Sequence, residues 1–477
     1  MAGPLRRALE ALERREDEEA LQRLLEAWRA ARAERLALLV ERFSKLDGGP
    51  VPVGGLLDLL RLRESLVEKT GRALSSSSVG MELSDFLQLP ADPRFTPALL
   101  DLAVLPVVRA EVAFLPLCEL FIKQKDPRTH EPLSELCSRL PAESAYARRL
   151  DVVLGRITER APPRLSGEAS ALCDALEEAL TLREEALARS APLREELLAR
   201  VCANPEDDDA RRVLADHLMA QGDPLGEFIT LQCQPQPDAP RIALLLEQHR
   251  AKWEALLGLG VWREEVRFER GLPVAVKMRV PHGQLLPPPG LFWCTVREID
   301  WSWSGGGVQA DWLAHPHLRG VTVLREVPPG LAARLGTHPL PVRELETVCA
   351  EPRRVAEQLA SLASLPHLAS MRLRWAGPDG LRRYAGSPLA RRLERFETGE
   401  EQLWWLEVWP GAEVPLKAEL YQEDRCQMLA EALRAAMGFS IGALRIQSRH
   451  PLGAGNRRLL EEAASGYARV EWRLPPG

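Results

Sequence analysis

The 477-residue chain lacks most of the features that assign a chemistry on sight. It has no uncharged apolar run of about 18 residues, the length a bilayer-spanning helix needs, so no membrane contact is expected. The N-terminal stretch MAGPLRRALEALERRED is charged throughout and has no apolar signal core. Positive charge is not in surplus: 62 Lys and Arg face 68 Asp and Glu, a net charge of −6. That balance argues against a nucleic-acid partner held by overall charge. The eight cysteines are scattered without a C-x-x-C pair, which fits reduced, mostly buried thiols rather than a zinc ribbon or a disulfide framework. A cytoplasmic location follows as the expectation.

Motifs of catalysis are missing as well. There is no G-x-S-x-G elbow, no G-x-x-x-x-G-K-[ST] loop and no H-E-x-x-H pair. WSGGGVQ supplies three glycines, Gly305 to Gly307, without the lysine or the spacing of a phosphate cradle, and reads as a loop between repeats. His315 and His317 flank Pro316, but His367 stands where His317 does in a later, similar phrase, so a repeat position explains them better than a metal site. No catalytic residue, cofactor or metal is expected.

What is present is ordinary globular material, 45% hydrophobic and 27% charged, long enough for two to four domains. Residues 1–190 read as helical. Leu21, Leu24, Leu25 and Trp28, then Leu36, Leu39, Val40 and Phe43, recur at three- and four-residue steps opposite a charged face. DPRFTPALLDLAV from Asp92 and DPRTHEPLSELCSRL from Asp126 begin alike, 34 residues apart. Two such starts fit stacked helical hairpins of the HEAT type, with an irregular helical bundle as the alternative.

Residues 191–258 hold the most distinctive stretch, ANPEDDDARRVLADHLMAQGDPLGEFITLQ from Ala203. Its consecutive aspartates do not make a calcium loop, which needs alternating oxygen ligands and a central glycine. They suit a helix start instead, with Asn204 as cap, Pro205 as first helical residue and acids in the first turn. Val213, Leu214 and Leu218 would form the buried stripe, and Gly222 would end the helix in a left-handed conformation. Asp223 and Pro224 repeat the cap-and-proline signal, with Phe228, Ile229 and Leu231 facing the core. Arg212 and Asp216 stand four apart and are expected to pair, with Glu227 reaching Arg211 or Arg212. The run DDARRVLADHLMAQGDPLGEFITLQ resembles the bacterial repeat-companion domain, a short helical module often followed by leucine-rich repeats. The resemblance lies at Asp209, Arg211, Leu214, Ala215, Asp216, Leu218, Gly222, Asp223, Gly226, Glu227, Phe228, Ile229 and Gln232. His217 departs from it, standing where the family commonly has tryptophan. The resemblance implies no catalysis and implies neighbouring repeats.

Residues 259–477 supply candidates for them. Short β-like segments recur, with anchors at Met278, Ile299, Val321, Leu345, Met371, Phe396, Leu420, Leu444 and Val470 spaced 21 to 26 residues apart, inside the roughly 20–29-residue span of leucine-rich repeats. Helix-like stretches such as PRRVAEQLASLAS intervene. The usual asparagine is absent, and LWWLEVWPGAEVPLKAELY looks like an inserted antiparallel hairpin. The fold class expected is therefore multidomain α plus α/β, ending in an irregular leucine-rich-repeat-like solenoid.

Strand alternation then selects the side chains on the open face. Glu298 and Asp300 come first, then Ser302, Thr322, Glu344 and Glu346, then Arg372 and Arg374, Arg395 and Glu397, Arg445 and Gln447, Glu471 and Arg473. Early strands read acidic and later ones basic, a polarised face that would steer a protein partner; a solvated sheet with incidental charge is the alternative. All but Trp28 of the twelve tryptophans lie at or beyond Trp253. Ile299, Trp301 and Trp303 share one face, and Trp404 or Trp405 should reach the surface because strand neighbours point opposite ways. The function expected is a non-enzymatic scaffold or adaptor binding protein through the C-terminal repeats. A structural subunit of a larger complex, or an enzyme whose site is assembled between domains, are the alternatives.

Overall fold

The computed structural model describes residues 2–46, 56–67, 75–141, 143–158, 165–258, 260–280, 286–304, 310–440 and 442–475; Gly305 to Gly307 lie outside them. The chain divides into two compact units, Met1–Leu259 and Gly260–Gly477. The first is helical and the second mixed α/β. The division expected between residues 190 and 191 falls inside one helix, Gly167–Ala203.

In the first unit the apolar stripes meet as their spacing requires. Leu21, Leu24, Leu25 and Trp28 of helix Asp17–Ala31 join Leu36, Leu39, Val40 and Phe43 of helix Glu34–Ser44, closed by Ala169, Cys173, Leu176 and Leu180 of the long helix. Arginines clip the same helices together at the rim: Arg35 makes two 2.8 Å bonds to Glu177, and Arg42 contacts Glu184 at 2.6 and 2.8 Å.

The two Asp-Pro-Arg starts fold alike. Asp92 accepts from the backbone N–H of Arg94 at 3.0 Å and Asp126 from that of Arg128 at 3.1 Å. Each arginine then folds its guanidinium back onto its own aspartate, at 2.7 and 2.6 Å. The two also interlock, since Arg128 donates to the Pro93 carbonyl at 2.9 Å and Thr96 donates to Asp126 at 2.8 Å. Buried charges survive only when paired this fully; here they fix the helix starts Phe95–Ala103 and His130–Arg139 side by side.

The middle segment forms helices Asp208–Ala220 and Pro224–Gln232. The cap differs from the expected one. Helix Gly167–Ala203 persists to its C-cap at Asn204, so neither Asn204 nor Pro205 starts the next helix; Asp207 does, accepting from Asp209 and Ala210 N–H at 2.9 and 3.0 Å. Val213 is exposed, and Ala210, Leu214, Ala215 and Leu218 make the buried stripe. Gly222, at φ +71°, ends the helix in a Schellman arrangement: its N–H bonds Met219 O and that of Asp223 bonds Leu218 O, both at 2.9 Å. Asp223 caps the second helix at Leu225 N–H, 3.0 Å away, and Pro224 leads it. Gly226 is where the helices touch: a Cβ there would stand 2.5 Å from Ala215 O. Arg212 pairs with Asp209, not Asp216, at 2.6 Å, and Glu227 pairs with Arg241 at 2.6 Å. Arg211 is buried and donates to the Pro205 carbonyl, while Phe228 stacks on Trp253.

The second unit carries an eleven-stranded sheet. Its strands are β1 (Arg267–Glu269), β2 (Leu272–Lys277), β3 (Glu298–Asp300), β4 (Val323–Val327), β5 (Glu344–Val348), β6 (Ser370–Arg374), β7 (Arg395–Glu400), β8 (Trp404–Val408), β9 (Leu416–Leu420), β10 (Ala443–Ser448) and β11 (Arg469–Arg473). Their order across the sheet is their order in the chain. β2 to β7 run parallel, as do β9 to β11; β8 is antiparallel to both neighbours, so the hairpin expected there is present. Helices Val355–Ala363, Pro378–Ala385, Cys426–Ala436 and Ala454–Ala464 link successive strands along one side.

Alternation buries Ile299, Leu324, Leu345, Met371, Phe396, Leu416 and Leu444 in one cross-strand row. Trp301 is buried, but Trp303 is 60% exposed, because β3 ends at Asp300 and the period-two pattern lapses after it. Where the sheet lacks asparagines, threonines tie strand to strand. Thr347 donates to Val327 O at 2.7 Å and Thr398 to Leu373 O at 2.8 Å. Gln358, fully buried, bonds Ala350 N–H at 2.9 Å and Val348 O at 3.0 Å, and accepts from the Tyr384 hydroxyl at 2.8 Å. Cys118, Cys173 and Cys426 are buried free thiols, and burial pushes that of Cys118 up to about 12, whereas Cys202 and Cys294 are disulfide-bonded, against the expectation of reduced thiols throughout.

Candidate binding face of the sheet

The face opposite the apolar row is a cross-strand array of charge. Register aligns Lys277, Asp300 and Arg325 on β2 to β4, and then Glu346, Arg372, Glu397, Glu407, Lys417, Arg445 and Glu471 from β5 to β11. Signs alternate along most of it, and opposite charges facing each other across strands are the favourable arrangement. Arg325 stands 3.4 Å from Glu298 and 3.3 Å from Glu344. Arg372 bonds Glu397 at 2.7 Å and lies 3.6 Å from Glu346; Arg395 reaches Glu397 at 2.6 Å and Glu407 at 2.9 Å; Arg445 reaches Glu471 at 2.8 Å. Arg374 contacts Glu326 and approaches Glu346 at 3.9 Å.

The polarised face expected from the sequence is therefore not present. The acids and bases named from it interleave with Arg325, Glu407 and Lys417, which the sequence register omitted. On β4 the row is carried by Val323 and Arg325 rather than Thr322, since Leu324, not Val321, is in line with Ile299 and Leu345. Glu346 and Glu397 are buried between arginines instead of lining an open surface. Burial pushes the Glu346 carboxyl above the usual range, partly offset by Arg372 and Arg325. Asp300 turns inward on the chain to accept from Ser302 N–H at 2.8 Å. Glu298, Glu344, Arg395 and Arg445 keep part of their surface in solvent.

Strand alternation sends the two adjacent tryptophans opposite ways, Trp404 into the core and Trp405 onto the charged face. Trp405 sits across from Gly399 on β7 and Glu419 on β9. A side chain at residue 399 would collide: its Cβ would lie 2.4 Å from Trp404 O and 2.7 Å from the Trp405 ring. Glycine at φ +152° thus lets the indole lie against bare backbone. The Arg372 guanidinium lies over the same ring, 5.3 Å from its centroid. Further along, Trp409 is flanked by Arg395 and Lys417 at 5.6 and 6.0 Å.

Around Trp405 the surface sinks into a depression of about 940 Å³ lined by Arg372, Glu401, Gln402, Tyr421, Arg449 and His450, with Gln422 at the rim. The Tyr421 hydroxyl donates to Glu419 at 2.5 Å, and burial together with that carboxylate pushes it up to about 12. Arg449 stacks on the Tyr421 ring at 4.6 Å. Gln402, in the β7–β8 turn, is held at φ +62°, one of the unfavourable backbone states that accumulate at functional sites. None of Glu401, Gln402, Tyr421, Gln422, Arg449 or His450 was named from the sequence; the available signal was the hairpin itself, which sets Trp405 and Tyr421 on neighbouring strands.

A second depression, of about 870 Å³, lies in the helical unit, where Gly222, Asp223, Pro224 and Glu227 come together with Arg15 and His249. Among the described residues no group of three or more His, Cys, Asp or Glu side chains is placed to hold a metal ion, and no helix is long and apolar enough to cross a membrane. His317 is occupied by the Pro289 carbonyl at 2.8 Å, and His315 accepts from the His317 N–H at 3.2 Å. No family model, no curated protein and no solved structure matches the chain.

Proposed function

We propose that the protein is a non-catalytic adaptor that binds a protein partner on the charged face of its sheet. In this reading the second unit is an irregular leucine-rich-repeat-like solenoid. Supporting it are the strand order that follows the chain, the helix-linked parallel runs, and the threonines that take the place of an asparagine ladder. The segment around Asp207–Gln232 is a repeat-companion module, and the interlocked Asp-Pro-Arg starts belong to HEAT-like stacking. The observation that carries the function is the face itself: opposed charges and the aromatic side chains of Trp405 and Trp409 share one side of the sheet, opposite its apolar row. Faces of this kind supply specificity through complementary charge and affinity through aromatic and arginine anchors.

The test is a comparison of proteins retained from lysate by the unaltered full chain and by a full-length Glu344→Lys, Arg395→Glu, Trp409→Ala variant, identified by mass spectrometry. All three residues keep part of their surface in solvent, so the fold is expected to survive. A partner retained by the first and lost from the second supports the adaptor reading. Identical sets remove it.

A further inference from the structure

The two edges of the sheet are built differently. β1, at one edge, is three residues long, antiparallel to β2 and broken by a register shift between Arg267 and Phe268, features that blunt an edge against further pairing. β11, at the other, is five residues long, contains no proline and pairs with β10 over all five without a shift. Among the described residues no strand pairs with its outer side. Its apolar side chains are also incompletely covered. Val470 and Trp472 lie in line with Leu444 and Ile446, which are fully buried, yet both keep part of their surface in solvent. A regular, half-apolar edge with an unpaired row of N–H and C=O groups is a template for another strand, and a stacked unit leaves apolar surface bare wherever no neighbour covers it.

We infer that the strand completing this edge is β11 of a second copy of the chain, paired antiparallel about a two-fold axis at Trp472, so that one sheet runs through both copies. The strand is complementary to itself in that register. Residues directly opposite in an antiparallel pair share a face, so Glu471 meets Arg473 of the second copy, Trp472 meets Trp472, and Val470 meets Leu474. Opposite charges and aromatic pairs are the favourable cross-strand contacts, and a two-fold interface must match itself in this way. The charged row points to the same partner. It ends on Arg445 and Glu471, 2.8 Å apart, and Arg473 of the second copy extends it with the next base. Arg473 is exposed and free to turn outward to that place. Arg469, which shares Glu471 at 2.8 Å and Glu413 at 4.0 Å, falls opposite Pro475 and meets no charge. Other axes fit worse. One at Glu471 sets Glu471 against Glu471 and Arg469 against Arg473, and like charges directly opposite are unfavourable; one at Val470 leaves Trp472 facing Ala468.

The experiment follows the mass of the full-length protein by sedimentation velocity across a concentration series, for the unaltered chain and for the variants Glu471→Arg and Arg473→Glu. The unaltered chain is expected at twice the chain mass. Each substitution alone sets like charges across the axis, two bases in the first and two acids in the second, and weakens the dimer at least tenfold. Mixed one to one, the two variants present opposite charges to each other at both places and regain the dimer. Neither position belongs to the buried core, and recovery on mixing separates lost pairing from lost folding. A chain that stays monomeric at every concentration overturns the inference. So does a dimer that withstands either substitution, which places the contact elsewhere, or a pair of variants that fails to associate when mixed.

Discussion

Arg372 holds two carboxylates and an indole at once, so its loss strands more than a single contact. Glu346 and Glu397, buried on the strands either side of it, would keep only Arg374 at 3.9 Å and Arg395 at 2.6 Å. Arg372→Ala is expected to lower stability by about 2–3 kcal/mol, the scale of a buried charge deprived of its partner, discounted because the arginine itself is partly solvated. Urea unfolding measures this, and Arg372→Lys should recover only part of it, since an ammonium cannot serve both acids and the ring in one plane. Gly399→Ala is the sharper test of the site: collision with the Trp404 carbonyl and the Trp405 ring should cost at least about 1 kcal/mol and change the indole fluorescence. In the helical unit, Asp207→Ala should cost about 1 kcal/mol as a lost cap, while Asn204→Ala stays within about 0.5 kcal/mol. Equal effects would mean the helix starts where the sequence placed it. That error has a plain origin. Asn204-Pro205 carries the standard cap-and-proline signal, yet the preceding helix continues to Ala203 and consumes Asn204 as its end. Local preference named two eligible caps, and the longer-range packing of the previous helix chose between them.

Among elements, the long helix is held to the N-terminal hairpin by charge as much as by apolar contact. Hydrogen bonds from Arg35 and Arg42 hold the Glu177 and Glu184 carboxyls below their ordinary 4.5. Folded values below unfolded ones mean this contribution is complete above about pH 4.5 and is lost as pH falls through the lowered values. Thermal melts over that interval should show the helical unit losing stability, and Arg35→Met with Arg42→Met should flatten the dependence. An unchanged acid profile would show that those pairs contribute nothing. For the strands, the sequence revealed the period, the helices between and the reversed hairpin, because each depends on spacing within a few residues. Register was less legible. Val321 and Leu324 are both apolar and both buried, so pattern alone cannot say which one lies in the sheet. In the structure β4 begins at Val323, so Val321 falls before it and Leu324 takes the in-line place; the bulge comes after, where Glu326 at φ +52° contacts Arg374. One misplaced anchor hid Arg325 and made the face look polarised. The depression was less legible still, since its walls come from residues between 372 and 450 that meet only after five strands have paired.

At the scale of the molecule, each unit has its own apolar core, Leu24 lying in one and Leu373 in the other. Denaturant unfolding of the full chain should therefore depart from a single two-state transition. Leu24→Ala should shift one phase and Leu373→Ala the other, each by roughly 2–5 kcal/mol; one phase moved by both substitutions would show a single cooperative block. The reversed strand has a consequence for geometry. Strands repeat every 4.7–4.9 Å or so, whereas packed helices need about 8–10 Å, so a layer with one helix for every strand is wider than its sheet and must bend around it. Between helices Pro378–Ala385 and Cys426–Ala436 the chain lays down three strands, β7 to β9. There three strand spacings, roughly 14 Å, accompany one helix spacing of about 8–10 Å, so at that step the helix layer no longer outgrows the sheet. Trp405 stands in β8, the middle strand of that step and the one that runs against both of its neighbours.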